Sequence, residues 1–119
     1  MTSTQRNPSE DVLRDGLHKA NALAALLQEE LVLLTAGDLD SFEALQSRKA
    51  EILEPLSALL PTLSGEIPIE EGSDVDTTVA LIDDIKEVLA TCRDAHLKNA
   101  ILIDRKIEAT RSALEVLRS

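Results

Sequence analysis

The sequence predicts an all-α protein: an elongated antiparallel helical bundle of three long helices, the third projecting beyond the other two. Hydrophobic residues make up 44% of its 119 residues, yet Phe42 is the single aromatic. A core of Leu, Ile, Val and Ala suits packed helices and disfavours a sandwich or barrel. Apolar residues also recur at alternating spacings of three and four in three separate stretches, the period of a helical seam. The length fits one domain, 1–119.

The first stretch predicts a helix over about residues 8–36. Pro8 stands at the first helical position, where its missing N–H is not needed. Gly37 is expected to adopt a left-handed conformation that ends the helix, and Asp38 to cap the next one almost without a loop. The seam of this helix consists of Leu13, Leu17, Ala20, Ala24, Leu27, Leu31 and Leu34.

The second stretch predicts a helix over about residues 38–63, kinked near Pro55. Inside a helix, Pro55 removes the hydrogen bond to Glu51 and crowds its carbonyl, at a cost of about 3 kcal/mol. We therefore expect a kink or break near Glu54. The following segment, 64–74, holds two Gly, one Pro and four acidic residues without helical period, and is predicted to be a solvated connector.

The third stretch predicts a helix over about residues 74–118, capped by Ser73 or Asp74 and free of Gly and Pro. The short turn at Gly37 makes the first two helices antiparallel, and the connector returns the third to the starting end. Aligned flush with the first helix, the third is matched only to about residue 103, so that about 15 residues, or some 22 Å, project.

The projecting part predicts a surface for a partner. It carries an apolar stripe of Ile103, Ile107, Leu114 and Leu117, of a kind that monomeric proteins usually keep for binding. Full burial of four such side chains would contribute about 6–12 kcal/mol before association costs. The stripe would be covered instead if the connector packed over residues 103–119 or the helix folded back.

The charge distribution limits the partners. A net charge of −10 opposes general binding to nucleic acid or anionic lipid. Residues 1–92 carry 6 basic and 18 acidic side chains, whereas residues 93–119 carry 6 basic and 4 acidic ones. The lack of a membrane-spanning run or signal-peptide core, together with a single cysteine, predicts a soluble cytoplasmic protein.

Two polar residues interrupt the apolar seams. Lys49 would lie within reach of Glu30 across the hairpin, which predicts an interhelical ion pair that fixes register. A Lys49 that extends its ammonium group into water is the equal alternative. Asn99 stands where the seam of the third helix changes period, and we place the border between core and free helix there.

The sequence does not predict a metal, a cofactor or an enzyme. Cys92 and His96 are four residues apart on one face, but zinc requires three or four ligands and His18 has no local companion. We interpret them as a small thiol and an imidazole within the seam. Neighbouring carboxylates lack a pocket or nucleophile, and no glycine-rich phosphate loop is present.

Two segments carry a resemblance to a known family. The first is LLQEELVLLTAGDLDSFEALQSRKAEIL, Leu26 to Leu53, with its glutamate, its leucines, the GD of the hairpin and the lysine of the second helix. The second is LKNAIL, which contains Asn99. In their order and spacing these segments resemble the FlgN family of flagellar export chaperones. Pro55 and the low aromatic content depart from the expected pattern and leave the course of the second helix in question.

The resemblance implies a non-enzymatic cytoplasmic chaperone for flagellar hook-associated proteins, which form the hook-filament junction. Such a chaperone uses its C-terminal helix to hold the C-terminal helical region of the client and delivers it to the type III export apparatus. The client-binding residues would then be the apolar stripe, flanked by Arg105, Lys106 and Arg111. A structural coiled-coil homodimer or another helical adaptor is the alternative, and a helix lying on a membrane surface is a third.

Overall fold

The computed structural model describes residues 8–66 and 74–118 and is all-helical, with no strand in those two ranges. The all-α prediction is confirmed. The molecule measures 76 × 25 × 17 Å. Within the described ranges, no helix combines the length and apolar character needed to cross a membrane. The helices are α1 (Pro8–Ala36), α2 (Leu39–Ala58), α3 (Leu60–Leu63) and α4 (Val75–Arg118).

The turn between α1 and α2 follows from two adjacent residues. Gly37 has a φ of +76°, the left-handed conformation that glycine adopts without strain. Asp38 Oδ1 accepts a hydrogen bond from the Ser41 backbone N–H at 3.1 Å and so caps α2. Hydrogen bonding to Ser41 lowers the pKa of Asp38 below its ordinary value of 3.8. The turn sets α1 and α2 side by side.

The second predicted helix, for which we expect a kink or break near Glu54, has no break there and is interrupted at Leu59 instead. α2 runs through Pro55 and ends at Ala58, and the short α3 follows. At the interruption, the Leu59 N–H bonds to the carbonyls of Leu56 and Ser57 in a tightened turn. Pro61 has no N–H to donate to the Ser57 carbonyl, so the next α-helical hydrogen bond is missing here. The second proline, Pro61, therefore separates α2 from α3.

The register between α1 and α4 is set by two side chains that reach backbone carbonyls. Cys92 Sγ lies 3.7 Å from the Ala20 carbonyl oxygen, and Asn99 Nδ2 donates to the Leu27 carbonyl at 3.1 Å. Both pairs are 72 positions apart, which shows that the two helices run in the same direction along this contact. The same offset places Ala36, the last residue of α1, beside Glu108.

The observed offset between α1 and α4 differs from that of a flush alignment. Beyond Glu108 about ten residues remain, or about 15 Å of helix, instead of the 15 residues expected beyond position 103. The Asn99 and Cys92 contacts displace α4 by about five residues relative to the start of α1. Asp74 caps α4 by accepting hydrogen bonds from Thr77, and the predicted alternative cap, Ser73, lies outside the described residues.

The core lies between α1, α4 and the end of α2, and leucine dominates it. Gly16 permits the closest approach, because a Cβ at this position would collide with Leu59 Cδ1 and lie 3.6 Å from Ile85 Cδ1. The buried cluster consists of Leu13, Ala20, Leu23, Leu27, Leu56, Leu59, Leu63, Leu81, Ile85 and Cys92.

Candidate partner-binding surface

An apolar groove of about 440 Å³ lies where the α1–α2 turn meets the last third of α4. We call it the end groove. It lies where α1 ends beside Glu108 and the first turn of α2 begins. The lining residues are Leu34, Leu39, Phe42, Ile103, Lys106, Ile107, Thr110, Arg111 and Leu114.

The end groove combines a buried floor with exposed apolar walls. Leu34 is only 1% exposed, whereas Ile107 and Leu114 are 50% and 52% exposed. Ile103 is half-buried, so the protein itself already covers part of the predicted apolar stripe. A side chain laid into the groove would contact apolar atoms on two sides and remove both walls from water.

The predicted client-binding residues divide into two groups. Lining the end groove are Ile103, Ile107, Leu114, Lys106 and Arg111. Arg105 and Leu117 are exposed and lie outside its lining, and Leu117 reaches 82% exposure.

The two basic residues of the groove differ in their surroundings. Arg111 Nη1 lies 3.0 Å from Glu108 Oε1 on the same helix, and both side chains are about two-thirds exposed. Lys106 is half-buried. An exposed pair of this kind contributes little stability, so Arg111 remains available to a partner carboxylate.

Four of the nine lining residues were not assigned to binding from the sequence: Leu34, Leu39, Phe42 and Thr110. Leu34 was predicted as a seam residue of the first helix, and Leu39 lies next to the turn. Leu34, Leu39 and Phe42 lie within five positions of Gly37 in the sequence, and this closeness to the turn was the signal that could have assigned them to the groove. Which part of α4 would face them depends on the α1–α4 register, which no local pattern specifies.

A polar cluster lies at the middle of the bundle and is centred on the carboxylate of Glu30, which is 1% exposed. Gln46 Nε2 donates to Glu30 Oε2 at 2.8 Å, and Asn99 Nδ2 donates to Glu30 Oε1 at 3.2 Å. Lys49 Nζ lies 3.2 Å from Glu30 Oε2. Three helices thus meet at one carboxylate, whose charge is both paired and hydrogen-bonded, as burial demands.

Lys49 also joins α2 to α4. Its Nζ lies 3.3 Å from His96 Nδ1, in addition to its contact with Glu30. The Lys49 side chain is 14% exposed. Of the two sequence alternatives, the structure has the ion pair instead of an ammonium group extended into water. Gln46 and His96 are members of the cluster that the sequence did not assign to it.

Cys92 and His96 have separate partners. Cys92 is buried against the Ala20 carbonyl, and burial raises the pKa of its thiol. His96 contacts Lys49. Across the described ranges, no group of three or more His, Cys, Asp or Glu side chains is arranged to hold a metal ion.

Comparison with family models, with curated proteins and with solved structures gave no match to this chain. The resemblance to the FlgN family therefore depends on the two sequence segments described above.

Proposed function

We propose that this protein is a non-enzymatic cytoplasmic chaperone that captures an amphipathic helix of its client in the end groove. The client class is the one implied by the FlgN resemblance: flagellar hook-associated proteins, held through their C-terminal helical region and delivered to the type III export apparatus. Capture would cover the apolar surface that the client needs for polymerisation, so it would stay unassembled.

The observation that carries the proposal is the exposure of Ile107 and Leu114 beside a groove with a buried apolar floor. In a helix-in-groove complex, apolar residues of the incoming helix fill a preformed cleft and its charged residues meet the rim. The end groove offers this arrangement, with Lys106 and Arg111 among its lining. A client helix with acidic residues beside its apolar stripe is complementary to it.

The geometry of the polar cluster agrees with the FlgN resemblance. Glu30 and Lys49 belong to the first of the two resembling segments, and Asn99 belongs to the second. These segments are distant in sequence, yet Lys49 and Asn99 both contact the Glu30 carboxylate. The residues that carry the resemblance would thus have a shared structural role, which is to hold α1, α2 and α4 in one register beneath the groove.

The proposal includes the finer architecture, an elongated antiparallel bundle whose third long helix projects. The 76 Å length of the molecule supports it, as does the α1–α4 offset that leaves about ten residues beyond Glu108. Leu117, on that projecting end, would extend the client contact beyond the groove, and Arg105 would act only through long-range charge.

The test is binding of C-terminal fragments of candidate hook-associated proteins to matched α4 variants. Ile107→Asp and Leu114→Asp place a charge in the groove. Ile101→Asp and Leu97→Asp are the controls, because these residues are 52% and 54% exposed on the same helix but lie outside the groove. We expect the groove variants to weaken the Kd about 10- to 100-fold, the equivalent of losing one buried aliphatic side chain.

The controls should stay within about twofold of the wild type, as exposed substitutions usually do. Equal weakening by Ile101→Asp and Ile107→Asp would refute the end groove as the binding site. A chain ending at Ala100 removes the C-terminal part of the groove and should lose capture. Undiminished recovery of the client by this truncation would assign binding to another surface.

The alternative function, a structural coiled-coil homodimer, has one observation in its favour. Val116 and Leu117 are 73% and 82% exposed at the projecting end and could pair with a second copy. Light scattering at low concentration separates the two functions. A monomer supports client capture, and a dimer that dissociates on Leu117→Asp supports self-pairing.

A further inference from the structure

A second apolar surface lies toward the other end of the bundle, between α4 and the α2–α3 region. Two adjacent grooves of about 560 and 260 Å³ share Leu89 and Arg93 in their linings, and we call the two together the trough. The Lys49–His96 contact bridges α2 and α4 on the side of the trough that faces the end groove. The apolar lining includes Leu23, Leu27, Leu53, Leu60, Pro61, Leu63, Leu89 and Cys92.

The walls of the trough leave apolar side chains in water. Leu60 is 56% exposed and Leu53 is 39% exposed, whereas Leu63 and Leu27 form a buried floor. This combination resembles the end groove, but none of the residues that line the trough lines the end groove. Burial of Leu53 and Leu60 by another polypeptide would therefore be independent of the end groove.

The charge of the trough is opposite to that of the protein. The chain has a net charge of −10, and residues 1–92 contribute most of the excess acid. The trough nevertheless has Lys86 and Arg93 on its α4 side, and Glu66 is the one acidic residue among its described lining.

Neither basic side chain on α4 is neutralised at close range. Arg93 Nε lies 3.9 Å from Asp94 Oδ1, at the outer limit of an ion pair, and its side chain is 74% exposed. Lys86 is exposed and makes no ion pair with the part of the chain that the structure describes. Both remain available to an incoming carboxylate.

We propose that the trough is a second docking site, which takes an amphipathic helix carrying acidic residues seven positions apart beside its apolar stripe. Lys86 and Arg93 are themselves seven positions apart, two turns on the same side of α4, which separates them by about 10.5 Å along the axis. A helix lying along α4 would present carboxylates at this spacing while its apolar side chains cover Leu53, Leu60 and Leu89. Nucleic acid and anionic lipid fit poorly, since both must approach a protein with a strong negative field.

The test uses a defined probe: a fluorescein-labelled synthetic helix of about 21 residues, with leucines along one face and glutamates seven residues apart. A second probe has lysines in place of those glutamates. Binding is measured by fluorescence anisotropy with the full chain, with Lys86→Glu/Arg93→Glu, and with the matched pair Lys106→Glu/Arg111→Glu in the end groove.

We expect the acidic probe to bind the wild type and to lose about tenfold in affinity on Lys86→Glu/Arg93→Glu, because two favourable charge contacts become repulsive. The same variant should gain affinity for the lysine probe. Lys106→Glu/Arg111→Glu should weaken the acidic probe less than Lys86→Glu/Arg93→Glu does, because Lys106 and Arg111 are five positions apart and do not match glutamates spaced by seven.

Three outcomes would overturn the proposal. The first is absence of binding by the acidic probe. The second is a loss with Lys106→Glu/Arg111→Glu that equals or exceeds the loss with Lys86→Glu/Arg93→Glu, because the probe would then not prefer the trough to the end groove. The third is a wild-type dimer that dissociates on Lys86→Glu/Arg93→Glu in sedimentation experiments, which would make a second copy of this chain the occupant. None of these outcomes decides whether Ile107 and Leu114 bind a client, so the two proposals fail separately.

Discussion

Replacing Lys49 with methionine should destabilise the protein far more than a surface substitution. The variant keeps most of the apolar stem but removes the one cation within ion-pairing distance of Glu30 among the described residues. Gln46 and Asn99 still donate to the carboxylate, which is 1% exposed and then holds an unpaired charge. Breaking a buried pair costs about 3–5 kcal/mol, and the 14% exposure of Lys49 places this case near 3.

The measurement is urea unfolding followed by circular dichroism, with Arg48→Met as the matched control because Arg48 is the exposed neighbour on α2. A loss of about 3 kcal/mol corresponds to a decrease of roughly 10 °C in Tm for a chain of this length. Arg48→Met should stay within about 0.5 kcal/mol of the wild type.

A double variant, Glu30→Gln with Lys49→Met, checks the cause of the loss. It removes the buried charge and keeps one amide oxygen, which accepts from Gln46 or from Asn99, so about half of the lost stability should return. A Lys49→Met variant no less stable than Arg48→Met would refute the reasoning, and the cluster would then have no role in stability.

Three further predictions concern the local structure. Cys92 should react with Ellman's reagent at least about 100-fold more slowly in the native protein than in urea, because its thiol is buried and has a raised pKa. Equal rates in the two conditions would show that the α1–α4 contact opens freely. Asp38→Ala should lower the Tm above pH 3.8. The pKa of Asp38 in the folded protein lies below that value, so the stabilisation by this carboxylate is lost as the pH falls through the folded-state pKa. A difference in Tm that does not depend on pH would contradict the capping role of Asp38. Gly16→Val should cost about 1–3 kcal/mol by collision with Leu59, and Asn21→Val, an exposed change on the same helix, should not.

Features set by neighbouring residues could be predicted from the sequence. The Gly37–Asp38 turn follows from a left-handed glycine and a capping carboxylate, both of which act within four residues. Because that turn is so short, it also fixes the register of the hairpin. The Glu30–Lys49 pair could therefore be predicted from the sequence, with a solvated lysine as the equal alternative.

The break in the second predicted helix shows where local reasoning fails. Each of the two prolines removes a hydrogen bond, and the sequence predicts a kink or break near Pro55 and an end of the helix at about residue 63. The structure continues through Pro55 and breaks at Leu59. Leu59 is buried against Gly16 and Ile85, and this packing belongs to the tertiary structure.

The sequence by itself determined the all-helical class and the Gly37 turn, because periodicity and capping are local properties. The buried face of α1 was predicted only in part: Leu13, Ala20, Leu27 and Leu34 are buried, but the predicted seam residue Leu31 is exposed. Leu23, Leu26 and Glu30 are buried although the sequence did not place them in the seam.

Only the tertiary structure decided how far α4 slides along α1. The contacts of Cys92 and Asn99 with α1 set this register, and each joins residues 72 positions apart in the sequence. That register brings Ile107 and Leu114 to Leu34 and Phe42, and with them the end groove.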